Sequence, residues 1–159
     1  MDLMYWEDFH VGQRLEFGGE TVSREDILAF AQKFDPQPQH IDEQAAERGP
    51  YGGLIASGWQ TGALCMQMMV KHLLSRTKSM GSPGIDQVRW RQPVRPGDTL
   101  HVRLETLSKS LHPRRPRLGF VNNHFEVFNQ RDQVVMSMRS TGMFLLREAI
   151  TDGPAEAQR

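Results

Sequence analysis

The spacing of apolar positions changes partway along this chain of 159 residues, from a helical period in the first half to strand-like alternation in the second. Residues 14–17 read as a short strand closed by the glycine pair Gly18 and Gly19. Ser23 stands where a helix N-cap belongs, and Glu25 and Asp26 follow in the first turn, where negative charge favours the helix dipole. Ile27, Phe30, Ala31 and Phe34 then recur at i, i+3, i+4 and i+7, predicting a short helix with all four turned inward. Pro36 and Pro38 predict an extended loop over residues 35–40. Past a glycine-rich turn at 49–53, the most apolar stretch runs from about 54 to 74. Its apolar side chains fall on nearly every helical face, which predicts a helix buried all round. Gly58 and Gly62, four apart, predict a groove on it where a backbone or ligand can approach.

The second half reads as β, with strands expected at 85–92, 99–108, 118–129 and 133–146. Leu100, Val102 and Leu104 alternate cleanly, Pro96-Gly97-Asp98 supplies a turn, and residues 129–132 (NQRD) supply a hairpin. Strands pairing in sequence order would give an antiparallel sheet, and a buried helix must be covered by it. The expected class is therefore α+β, with one long central helix wrapped by a curved antiparallel β-sheet.

Composition narrows this picture. The length suits one domain, taken as residues 1–150, with a polar and flexible tail at 151–159. Nineteen Lys+Arg balance nineteen Asp+Glu, which argues against a nucleic-acid or membrane-surface partner. Such neutrality also leaves little charge to oppose self-association. The single cysteine, Cys65, excludes an internal disulfide framework, and the scattered histidines lack ligand spacing, so no metal is expected. No apolar run approaches membrane-spanning length. The opening MDLMYWEDF is unlike a signal or transit peptide, so a cytoplasmic protein is expected.

Two segments carry candidate chemistry. Asp35 and His40 lie five apart on a proline-stiffened stretch (DPQPQH), and acid–base catalysis requires such titratable groups rigidly held. The same residues also suit an ordinary loop in which Asp35 caps local amides and His40 packs, and loop chemistry alone favours that reading. Ala56-Ser57-Gly58-Trp59 opens the apolar helix, where free amides and the dipole can hold an oxyanion. Read alone, the segment is better taken as an N-cap at Ser57 and a packing glycine at Gly58. There is no phosphate-binding glycine loop, Walker sequence or GxSxG elbow.

Taken together these segments resemble the MaoC-like dehydratases, the (R)-specific enoyl-CoA hydratases of hot-dog fold. The resemblance rests on Phe30-Ala31 leading to Asp35-Pro-Gln-Pro-Gln-His40, on Gly52 to Gly58 (GGLIASG), on the Arg95-Pro-Gly-Asp98 turn and on the Asn129-Gln130 hairpin. These features span roughly residues 5–147. The resemblance implies a hydratase or dehydratase acting across the 2,3-double bond of an acyl thioester on coenzyme A or acyl-carrier protein. It implies Asp35 and His40 as the catalytic pair, Gly58 as the amide that binds the thioester oxygen, and Ser57 and Gly53 as residues shaping the same substrate-binding corner. It implies no cofactor beyond the substrate's own carrier, and a homodimer. The sequence departs from the family pattern at Gln37, Ser57 and Met66, where an asparagine, a histidine and a serine are frequent. Arg91, Arg95 and the Arg114–Arg117 loop are candidates for carrier phosphates. A hot-dog thioesterase and a non-catalytic acyl-binding subunit remain alternatives.

Overall fold

The computed structural model describes residues 3–149, and the expected tail at 151–159 lies outside them. Strand β1 (Arg14–Thr21) leads into helix α1 (Arg24–Phe34), two short helices α2 (Pro38–Ile41) and α3 (Glu43–Arg48), and the central helix α4 (Gly58–His72). Strands β2 (Gly84–Trp90), β3 (Thr99–Leu111), β4 (Leu118–Phe128) and β5 (Val134–Leu145) complete the chain. The architecture is the α+β hot-dog fold, a five-stranded antiparallel sheet curled around α4. Cys65, Met68 and Met69 of α4 pack on Leu100, Val102, Phe125, Val127 and Val135 of the sheet, forming the main core.

Strand order is β1-β3-β4-β5-β2, and here the sequence-order expectation fails. Strand β2 pairs with β5 at the far edge, so the turn at Pro96-Gly97-Asp98 joins strands that are not neighbours. Prolines 93 and 96 prevent a tight hairpin, and the segment between β2 and β3 crosses the start of α4 instead. There Val94 accepts a hydrogen bond from the Ala56 amide at 2.8 Å. The β4–β5 hairpin forms as expected, with Asn129 Oδ1 accepting from the amides of Arg131 and Gln133.

Four local expectations change. First, β1 does not stop at Gly18-Gly19 but bulges through them with φ of 129° and 104°. A Cβ on Gly18 would stand 2.7 Å from Met68 Sδ, so this glycine lets α4 lie on the strand. Second, residues 38–41 form a helical turn rather than extended loop, because Pro38 occupies the first helical position, where its missing N–H costs nothing. Third, α1 buries Ile27 and Ala31, whereas Phe34, on its last turn, is 63% exposed. Fourth, α4 is not buried all round. Trp59, Met66 and Val70 form an exposed apolar stripe along one side, and the space beside Gly62 is open. Cys65, Met68 and Met69 on the opposite side are buried.

Candidate active site

The end of α1 and the start of α4 meet at one cleft. Helix α1 ends as Asp35 leaves helical geometry, and α2 then turns His40 back toward it. The buried His40 ring hydrogen-bonds through Nδ1 to the Ile55 carbonyl at 2.8 Å. A carbonyl only accepts, so Nδ1 carries the proton and donates. Nε2 is left facing the site, 3.4 Å from Asp35 Oδ2.

Asp35 is held by two donors. Ser57 Oγ donates to Oδ2 at 2.6 Å and Gln37 Nε2 donates to Oδ1 at 2.7 Å. The Ser57 hydroxyl, then the Gln37 amide, hold the carboxyl below its ordinary pKa, partial burial opposes them, and His40 adds a smaller lowering. Gln39 Nε2 in turn donates to Gln37 Oε1 at 3.2 Å, fixing that amide's orientation.

Gly58 is the first residue of α4, and its amide is among those a helix start leaves without an intrahelical acceptor. The next amide, Trp59 N, donates to Ser57 Oγ at 3.3 Å. Asp35, His40 and Gly58 line a single cleft of about 340 Å³, together with Gln37, Thr61 and the tryptophans 59 and 90. An ionised carboxylate, an imidazole nitrogen and a free helix-start amide thus converge on one space. That is equipment for moving a proton beside a polarised carbonyl.

Of the remaining expected site residues, Arg91 alone lines the cleft. Ser57 is fully buried and serves Asp35 from behind rather than lining the cleft. Gly53 is also outside the lining; its φ of 145° turns the chain, and a Cβ there would stand 3.2 Å from Arg95 Nη1. Arg95 itself is directed to the Tyr51 carbonyl. The Arg114–Arg117 loop does not approach the cleft within one chain. Trp90 lies in the row of Met136, Val127 and Val102, nine residues along β3 from Leu111, so the loop is about 30 Å away along the strands.

Sequence reasoning missed two things here. Gln37 was legible only as a departure from the family pattern, although its position two residues from Asp35 was a usable signal. Nothing in the sequence placed Trp90 against α4, because that contact joins an edge strand to a helix start. The turn at Asp98 supports the site from outside. Its buried carboxylate accepts from Arg95 N at 2.8 Å and Gln130 Nε2 at 2.9 Å, tying the β4–β5 hairpin to the segment that holds Ala56.

Fold and site together define a hot-dog domain with an Asp–His pair at the N-terminus of its central helix. The chain belongs to the MaoC-like family: the family model for the MaoC like domain matches residues 8–124. A 3-hydroxybutyryl-CoA dehydratase of Methylorubrum extorquens is 34% identical over 119 residues, covering 74% of this chain and 73% of the relative. An uncharacterised Bacillus subtilis protein, YdeM, is 32% identical over 129 residues, covering 81% and 90%. Among solved structures, a MaoC-like dehydratase from Rhodospirillum rubrum superposes with a TM-score of 0.83 at 36% identity, covering 91% of this chain and 99% of that one. The (R)-hydratase PhaJ1 from Pseudomonas aeruginosa shares the fold, with a TM-score of 0.69 at 24% identity and 94% of each chain covered. No helix among the described residues is long and apolar enough to cross a membrane.

Proposed function

We propose that this protein is a hydro-lyase that adds water to, or removes it from, the 2,3-double bond of an acyl thioester carried on coenzyme A or an acyl-carrier protein. The observation that carries this reading is the approach of His40 Nε2 to within 3.4 Å of Asp35 Oδ2 in the cleft that Gly58 also lines. A water hydrogen-bonded to both atoms from the cleft side would be positioned for attack on a β-carbon. As its oxygen bonds to that carbon, its proton passes to His40 Nε2. The double-bond electrons move onto the thioester oxygen, where the Gly58 amide and the helix dipole stabilise the enolate. The imidazolium, held by the Asp35 carboxylate, then returns the proton to the α-carbon. Every step uses side chains and amides of this chain, so the proposed chemistry requires no metal or redox cofactor.

The membership of the chain in the MaoC-like family and its likeness to a 3-hydroxybutyryl-CoA dehydratase support this reading. The test is hydration of an enoyl-CoA, followed by ultraviolet loss of the conjugated thioester alongside a thiol-reactive dye. Loss of absorbance without free thiol is expected, and thiol release at the same rate would assign a thioesterase instead. Asp35→Asn and His40→Ala should each lower kcat by about 10²–10⁴-fold with the fold intact. Unchanged activity in both would reassign the site.

The same reading includes a homodimer in the cytoplasm. Strand β2 leaves one edge of the sheet unpaired, and the apolar Met66 and Val70, outside the cleft, lie along the exposed side of α4. A second copy would cover both.

A further inference from the structure

Gly58 has no side chain, and the space one would fill is taken by Trp90. A Cβ on Gly58 would stand 2.3 Å from Trp90 Nε1, 2.4 Å from Cε2 and 2.7 Å from Cδ1. Short, similar distances to three adjacent atoms of the five-membered ring mean that the indole presents its face to the glycine, not its N–H edge. Trp59, the next residue in the chain, meets Trp90 edge-on, with centroids 5.4 Å apart and planes at 75°. That is an arrangement aromatic quadrupoles favour. Both indoles line the cleft that holds Asp35 and His40, and neither belongs to the packed core cluster. They contribute little to the core. Two rigid apolar plates braced against each other beside an acid–base pair form a surface suited to meeting a ligand.

We propose that Trp90, braced by Trp59, is the specificity-determining wall of this site and restricts it to short acyl chains. This rests on the hydratase reading given above. The cleft, about 340 Å³, is at the small end of ligand pockets and must also admit the thioester sulfur and the first atoms of the carrier arm. Trp90 lies flat on the residue whose amide receives the thioester oxygen, so it stands beside the reacting carbons and narrows the space left for an acyl chain. The fit of Trp90 also gives Gly58 a second reason to be glycine: an alanine there would displace the indole as well as crowd the amide.

The test compares kcat/KM for trans-2-butenoyl-CoA and trans-2-octenoyl-CoA in the wild type, Trp59→Ala, Trp90→Ala and Trp90→Phe. The wild type is expected to favour the four-carbon substrate by about 100-fold, and each alanine variant to raise the octenoyl-to-butenoyl ratio by about tenfold or more. Trp90→Phe keeps an aromatic plate and should retain most of the discrimination. Trp59→Ala, truncating the more exposed indole, keeps the test decisive if Trp90→Ala misfolds. A flat length profile in an active wild type overturns the wall alone. So does an equal change for both substrates in the alanine variants, which is what a position on the carrier side would give. Absence of hydration with either substrate refutes the hydratase reading itself, and the wall with it.

Discussion

Ser57 Oγ donates a 2.6 Å hydrogen bond to Asp35 Oδ2 across 22 residues of sequence, joining the cap of the central helix to the carboxylate of the site. The same oxygen accepts from Trp59 N, so α4 cannot fray at its start without releasing Asp35. A residue that terminates a helix here also sets the proton affinity of a candidate catalytic group.

Replacing Ser57 with alanine separates these roles. Loss of the cap should cost about 1 kcal/mol of stability. Loss of the largest contribution lowering the Asp35 pKa should move the acidic limb of the kcat/KM profile to higher pH. A carboxyl depressed in the folded state stabilises the fold above its unfolded pKa, and that contribution disappears as pH falls through the folded pKa. The stability gap between wild type and Ser57→Ala should therefore be larger at neutral pH than in acid. Urea melts at both pH values and a pH–rate profile measure this, and an unmoved acidic limb would remove Ser57 from the control of Asp35.

Asp98 should be the most sensitive turn residue. It is buried and accepts from both Arg95 N and Gln130 Nε2, so Asp98→Ala removes the acceptor that ties the turn to the β4–β5 hairpin. A loss of about 2–4 kcal/mol is expected in urea denaturation. Activity should fall as well, because Val94, next to Arg95, holds Ala56 at the entrance to α4. A change under about 0.5 kcal/mol, the size of an ordinary surface substitution, would show the turn to be dispensable.

Cys65 should be chemically silent in the folded protein. It is fully buried on the core side of α4, and burial pushes its thiol pKa up to about 12. At pH 8 that leaves about one thiol in ten thousand ionised, and thiolate is the reactive form. A thiol reagent should label Cys65 only after denaturant is added. Rapid stoichiometric labelling of native protein at pH 8 would contradict this packing.

Val70 reports on self-association. It is exposed on the stripe of α4 shared with Trp59 and Met66 and lies outside the lining of the cleft that holds Asp35 and His40. Light scattering behind size exclusion should give a dimeric mass for the wild type, and Val70→Glu should weaken the dimer by about tenfold or more through burial of an unpaired charge. A monomeric wild type, or a variant that dimerises equally well, would place the interface elsewhere.

Much of the fold was legible along the chain because it rests on local interactions. The Ser23 cap, the start of α4 at Gly58 and the four later strands follow from capping and alternation, which act over a few residues. Phe34 and Met66 show the limit of periodicity. Each continues an apolar helical pattern, yet both are exposed, because the pattern registers hydrophobicity and not which neighbour supplies the other half of a contact. The α2 turn was hidden for a different reason: a proline that ends one helix can equally begin the next.

The sequence by itself determined the class, α+β with one long helix, and offered Asp35, His40 and Gly58 as candidates whose functional roles came only with the resemblance to the MaoC-like family. Only the tertiary structure decided that β2 crosses to the far edge beside β5, that Ser57 and Gln37 hold Asp35, that Gly53 lies outside the cleft lining and that Trp90 covers Gly58. The longest-range of these, the β2 crossing and the Trp90 and Ser57 contacts, join side chains or strands tens of residues apart. Their partners are chosen by how the helix fills the curl of the sheet, a choice that leaves no period in the chain.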